Sequence, residues 1–95
     1  MASMDYQMYR AQRLKQDAEL AEAYTQESLE REIGRQVLRL RQRRGWTQAQ
    51  LAEALDTKQS AVARLESGSH RPSLATLNHI CEVLGARLEV RLTPS

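Results

Sequence analysis

Apolar residues recur along the chain with two different periods, and the change of period divides it. Leu29, Ile33, Val37 and Leu40 step by four, four and three, which predicts an amphipathic helix over 29–44 with one face toward a core. Leu51, Ala52 and Leu55 give a shorter apolar face. After an interruption at Asp56-Thr57, the stretch 58–67 carries Ala61, Val62 and Leu65 at helical spacing. A further face follows in Leu74, Leu77, Ile80, Cys81 and Leu84. Ahead of these, Ala11, Leu14, Ala18 and Ala21, with Leu20 beside them, form a narrow stripe that predicts a weakly apolar helix over 10–23, after a start with no clear period. Such a helix buries little and is marginal alone. The last segment alternates: Leu88, Val90 and Leu92 are interleaved with Arg87, Glu89 and Arg91, the period of a half-buried strand.

Local chemistry punctuates the same pattern. Gly45 suits the left-handed conformation that ends a helix. Thr47 then serves as N-cap and Gln50, three residues on, completes a capping box, while Trp46 and Leu51 stand where a hydrophobic staple would close. Two short helices joined by a tight turn follow, the outline of a helix-turn-helix. Ser73 is the N-cap of the next helix and Gly85 its stop. Tyr24 ends the N-terminal helix in this reading, with Thr25 or Ser28 capping its successor.

The 95 residues suffice for one domain and an arm. Phe is absent and the aromatic residues are Trp46, Tyr6, Tyr9 and Tyr24, so the core must be aliphatic. One cysteine excludes an intramolecular disulfide and a cysteine-rich zinc site; with neither a secretory apolar region nor a long apolar run, the reading is a cytoplasmic protein without membrane segments. The net charge of +2 conceals an asymmetry. Residues 1–32 hold four basic against seven acidic residues, a net −3, whereas residues 33–95 hold ten against five, a net +5. A cationic domain preceded by an acidic arm points to one partner with phosphates and another that is basic.

In a helix-turn-helix the second helix enters the major groove of duplex DNA while the first lies across the backbone. Lys58, Gln59, Ser60 and Arg64 project from the second helix, with Ala61 and Ala63 small enough to permit close approach. Gln pairs bidentately with adenine and Arg or Lys with guanine, so Gln59, Ser60 and Arg64 are assigned to bases and Lys58 to base or phosphate. Thr47 and Gln48 open the first helix and are assigned to phosphate, as are Ser67, Ser69, His70 and Arg71 on the far side. No nucleophile, base and orienting group stand at recognisable spacing, so no catalytic residue is assigned. His70 and His79 lack further ligands at zinc spacing, and neither a metal nor a cofactor is expected.

The wording Trp46-Thr47-Gln48-x-x-Leu51-Ala52, then Gln59-Ser60-x-Val62-x-Arg64-Leu65-Glu66-x-Gly68, then Arg71-Pro72-Ser73-Leu74-x-Thr76-Leu77 resembles the Cro/C1-type, XRE-like helix-turn-helix family over roughly residues 33–85. The resemblance implies an all-α, lambda-repressor-like bundle of about five helices, here with an N-terminal helical arm and a short C-terminal β-strand. It also implies that Arg41, at the edge of the apolar stripe, pairs with Glu66. The sequence departs from the family pattern at Asp56, where glycine is usual, and at Ala63, where serine is common. Asp tolerates left-handed geometry better than most residues, which preserves the turn.

The whole plan resembles antitoxins of the HigA type. That resemblance implies residues 1–27 as an arm that binds an mRNA-cleaving toxin of the RelE-like fold through Leu14, Leu20 and Tyr24. Residues 28–85 then form the DNA-binding domain, which represses its own operon as a homodimer on double-stranded DNA, and residues 86–95 the dimerising strand. The alternative is a stand-alone repressor without a toxin partner. A lone strand has unpaired edges, and the simplest partner for Leu88, Glu89, Val90, Arg91 and Leu92 is their own copy.

Overall fold

The computed structural model describes residues 4–94, with the side chains of Lys15 and of residues 25–94. Four helices make up the described chain: α1 (Met4–Arg43), α2 (Gln48–Ala54), α3 (Gln59–Glu66) and α4 (Leu74–Val83). This is the all-helical helix-turn-helix bundle expected, with two corrections. The bundle has four helices rather than about five, because α1 runs without a break through Tyr24 and Ser28. No glycine or proline precedes Gly34, and a cap-forming Thr or Ser does not interrupt a helix whose backbone is otherwise satisfied. The second correction concerns the C-terminus, where residues 86–94 form neither helix nor strand. A strand exists only by pairing, and the described residues contain no other strand to pair with.

The 40-residue α1 accounts for the long axis of the molecule, 64 Å against 25 and 20 Å for the other two. Only its second half belongs to the bundle. Val37, Leu51, Ala52, Val62, Leu65, Ile80 and Leu84 form the buried core, with Ile33, Leu40, Trp46, Leu55 and Val83 packed at its margin. Leu29 and Leu74, assigned by periodicity to packed faces, are instead 56% and 66% exposed. Leu29 stands one turn before Ile33, where α1 leaves the bundle, and Leu74 is the first residue of α4, so neither has a neighbouring element to cover it.

The punctuation takes the forms its chemistry dictates. Thr47 Oγ1 accepts from the Gln50 N–H at 3.1 Å while the Thr47 N–H donates to Gln50 Oε1 at 2.8 Å, the two halves of the capping box. Ser73 Oγ likewise accepts from the Thr76 N–H. Asp56 adopts the left-handed conformation, φ 54°, at the turn between α2 and α3 where glycine would be the unstrained choice.

One glycine that periodicity does not flag sets the position of α3. A Cβ at Gly34 would lie 2.6 Å from the carbonyl oxygens of both Leu65 and Glu66, so the end of α3 rests directly on the α1 backbone. Helix propensity alone favours alanine at such a site by about 1 kcal/mol. Gly34→Ala is nevertheless expected to destabilise the domain by about 1–3 kcal/mol in urea denaturation, because the clash is with backbone that cannot rotate away.

Candidate nucleic-acid interface

A buried ion pair ties three elements together beneath the exposed face of α3. Arg41, in the last turns of α1, donates from Nε to Glu66 Oε2 at 2.6 Å and from Nη2 to Glu66 Oε1 at 2.9 Å. Its Nη1 donates to the Trp46 carbonyl at 2.8 Å, which holds the α1–α2 turn. Gln48 at the start of α2 adds a bond from Nε2 to Glu66 Oε1 at 3.1 Å. The side chains of Arg41 and Glu66 are only 12% and 3% exposed. Hydrogen bonding to Glu66 raises the Arg41 pKa further above its ordinary value, against the opposing effect of burial. The expected Arg41–Glu66 pair is therefore present and shielded from water.

This clamp orients the residues assigned to DNA. Lys58, Gln59, Ser60 and Arg64 are all exposed on α3, and Ala61 between them leaves the surface open. Lys58 is the N-cap of α3 by backbone conformation alone, since an ammonium has no lone pair with which to accept from the free N–H groups of the first turn. Thr47 and Gln48 have local partners: the Thr47 hydroxyl is the α2 cap and the Gln48 amide is held by Glu66. Past α3, Ser67 Oγ donates to the Arg64 carbonyl at 3.0 Å and lies 2.9 Å from Ser69 Oγ, which keeps both hydroxyls at the helix end. His70 is exposed beside a groove of about 410 Å³ that it lines with Thr57, Ala61 and His79. Arg71 departs from this group, since its Nε donates to Glu30 of α1 at 3.0 Å, on the flank of α1 where Leu29 and Leu74 also lie.

Other assignments fall elsewhere. Leu14, Leu20 and Tyr24 lie outside the residues whose side chains are described. Leu88, Glu89, Val90 and Arg91 border a groove of about 400 Å³ between α1 and α4, whereas Leu92 is 92% exposed. Arg87 and Glu89 pair with each other within the chain at 2.7 Å. Burial raises the pKa of the Cys81 thiol, which favours the protonated and unreactive form. Among the described residues no group of three metal-ligating side chains comes together, and no helix is long and apolar enough to cross a membrane. Two arrangements have no signal in the periodicity: Arg44 stacks 4.5 Å above the Trp46 ring, and Arg31 and Arg35 share a groove with Ser67.

Two short helices, α2 and α3, joined by a tight turn and seated on a helical support have the architecture of a helix-turn-helix domain. The family model described as a helix-turn-helix domain matches residues 32–92, and the chain belongs to that XRE-like family. It is also 43% identical over 51 residues to the competence pilus inhibition repressor of Acinetobacter baylyi (strain ATCC 33305 / BD413 / ADP1). That alignment takes in 54% of this chain and 46% of the relative, so the chain matches about half of the relative's length.

The clamp makes a direct prediction for stability. Glu66→Ala leaves the Arg41 guanidinium shielded from water without its counter-charge and is expected to cost on the order of 3 kcal/mol in chemical denaturation. A loss below about 1 kcal/mol is what a solvent-exposed pair gives, and would contradict the buried geometry.

Proposed function

We propose that the chain is a sequence-specific, non-enzymatic DNA-binding repressor that acts as a homodimer. The observation that carries the reading is the exposed row Lys58, Gln59, Ser60 and Arg64 on α3, braced from behind by the Arg41–Glu66 pair. Gln59, Ser60 and Arg64 read base edges, with Lys58 on base or phosphate. Thr47, Gln48, Ser67, Ser69 and His70 face the backbone, and Arg71 joins them on release from Glu30. The family match and a relative named as a repressor support the same reading.

Dimerisation supplies the symmetry that a palindromic operator requires, with two recognition helices about one DNA turn, ~34 Å, apart. The segment 86–92 serves as the dimer element by pairing antiparallel with its copy, and charge sets the register. Centred on Glu89, the pairing opposes Glu89 to Glu89 and Arg87 to Arg91, at a cost of about 0.2–1 kcal/mol per pair. Centred on Leu88, Arg87 faces Glu89 of the copy; centred on Val90, Glu89 faces Arg91. The in-chain Arg87–Glu89 contact, 85% and 71% exposed, is weak enough to exchange for either. Leu88 and Val90 then continue the apolar groove between α1 and α4.

A second reading, toxin neutralisation, rests on the arm. The helix α1 begins 28 residues before the family match does, and that acidic stretch is more than DNA binding needs. In this reading residues 1–27 carry the contact with a basic RelE-like mRNA interferase through Leu14, Leu20 and Tyr24. Without such a partner the protein is a stand-alone repressor working in the cytoplasm.

Selection of binding sites from a random duplex pool, followed by titration at fixed salt, tests the first reading. Gln59→Ala and Arg64→Ala are each expected to lose about 1–3 kcal/mol of preference for the selected site while non-specific binding persists. Unchanged preference would remove α3 as the reading element. Truncation after Gly85 is expected to give a monomer in sedimentation experiments, and a dimer at that length would exclude the strand. For the arm, deleting residues 1–24 should abolish co-purification of a small basic protein encoded beside this gene yet spare site-specific DNA binding.

A further inference from the structure

The cationic groove formed by Arg31 and Arg35 of α1 at the C-terminal end of α3 has no role in the readings above. It measures about 420 Å³ and is bordered by Ser28, Arg31, Arg35, Glu66 and Ser67. The two arginines are four residues apart and therefore share one face of α1. They bracket Gly34, the residue that lets α3 rest on α1, and the stem of Arg31 lies against the Gly68 turn that follows α3. The arginines are thus fixed to the recognition helix by the same backbone contact that sets its angle.

We infer that this groove holds a backbone phosphate of the duplex that α3 reads, so that α1 itself takes part in DNA binding. The inference rests on the DNA-binding reading and deepens it. A recognition helix of eight residues is about 12 Å long, and the major groove it enters is about 12 Å wide. The end of such a helix meets the groove wall, which is a row of phosphates. At that end stand the hydroxyls of Ser67 and Ser69, 2.9 Å apart, and Arg31 and Arg35 border the same groove as Ser67.

The acidic neighbours do not neutralise the site. The Glu66 carboxylate accepts from Arg41 and Gln48 and is balanced by Arg41. Glu32 pairs with Arg35, but at 42% and 63% exposure the pair is screened by water and a phosphate competes for the same guanidinium. Gln36 also donates to Glu32, and that bond is the first cause of the lowered Glu32 pKa, so the carboxylate keeps a partner when Arg35 turns away. Arg31 is exposed, and its five N–H donors in a fixed fork suit phosphate.

The test is the salt dependence of binding to a fluorescent random-sequence duplex, measured with the full chain. The slope of log K against log salt becomes shallower by about 0.9 for every phosphate that the protein no longer neutralises, so the double variant Arg31→Gln/Arg35→Gln, which loses the one phosphate held in the groove, is expected to make it shallower by about 0.9. The double variant Arg31→Lys/Arg35→Lys, which keeps both charges, should retain most of the slope. An unchanged slope in the glutamine variant overturns the inference even if its melting temperature falls, because the arginines would then serve only to hold the end of α3. If the unaltered protein shows no salt-dependent duplex binding, the DNA-binding reading itself fails and this inference with it.

Discussion

The Arg41–Glu66 pair is the interaction on which the rest of the domain depends, because it joins α1, the α1–α2 turn and the end of α3 through one set of side-chain hydrogen bonds. Arg41 stands in the last turn of α1 and Glu66 ends α3, and the guanidinium fork reaches both carboxylate oxygens and the Trp46 carbonyl at once. A lysine in its place would supply the charge without the planar set of donors that fixes an angle. Taking two charges out of water is costly, and such pairs are weak contributors to net stability. Their value here is geometric: the pair leaves α3 one orientation relative to α1, and with it the direction in which Gln59 and Arg64 point.

Around that clamp the core is small and aliphatic, and α2 and α3 are seven and eight residues long. Helices of that length do not persist in water alone. They form because Leu51 and Ala52 of α2 and Val62 and Leu65 of α3 are buried together, and because the Thr47–Gln50 box satisfies backbone donors that would otherwise be unpaired. The absence of a Cβ at Gly34 brings the end of α3 onto α1. The polar row on α3 is therefore presented by a rigid support while its own side chains remain free to meet a ligand.

Charge is arranged around the same frame. The cationic residues of the domain are not equivalent: Arg41 is shielded in the clamp, Arg44 stacks on Trp46, Arg71 is held by Glu30, and Arg64 is exposed on α3. Of these four, Arg41 alone is both matched by a carboxylate and shielded from water, so it adds nothing to the charge open to a phosphate backbone. The Arg71–Glu30 pair also joins the loop before α4 to the part of α1 that leads into the acidic arm, so the two charge regions meet at one point.

Much of the domain is legible in the residues because it is written in local chemistry. Gly45, Thr47, Gln50, Ser73 and Gly85 act on their immediate neighbours, and the periodic apolar positions near the middle of each helix are buried as their spacing requires. The Arg41–Glu66 pair comes from family resemblance rather than from spacing, since nothing local links residues 25 positions apart. Periodicity fails at the margins. It cannot say where a helix leaves the bundle, so it assigns Leu29 and Leu74 to faces that no element covers. Nor can it choose between two helices and one when no glycine or proline intervenes, as in α1. Alternation over 86–92 carries a strand's side-chain pattern, but a strand needs a partner edge and the described chain supplies none. The caps, the turn, most of the core and the polar row on α3 follow from the order of residues alone, all consequences of short-range chemistry. The packing role of Gly34, the place of Gln48 in the clamp, the pairing of Arg71 and the meeting of Arg31 and Arg35 with the end of α3 emerge only in three dimensions, because each depends on which distant backbone is brought alongside.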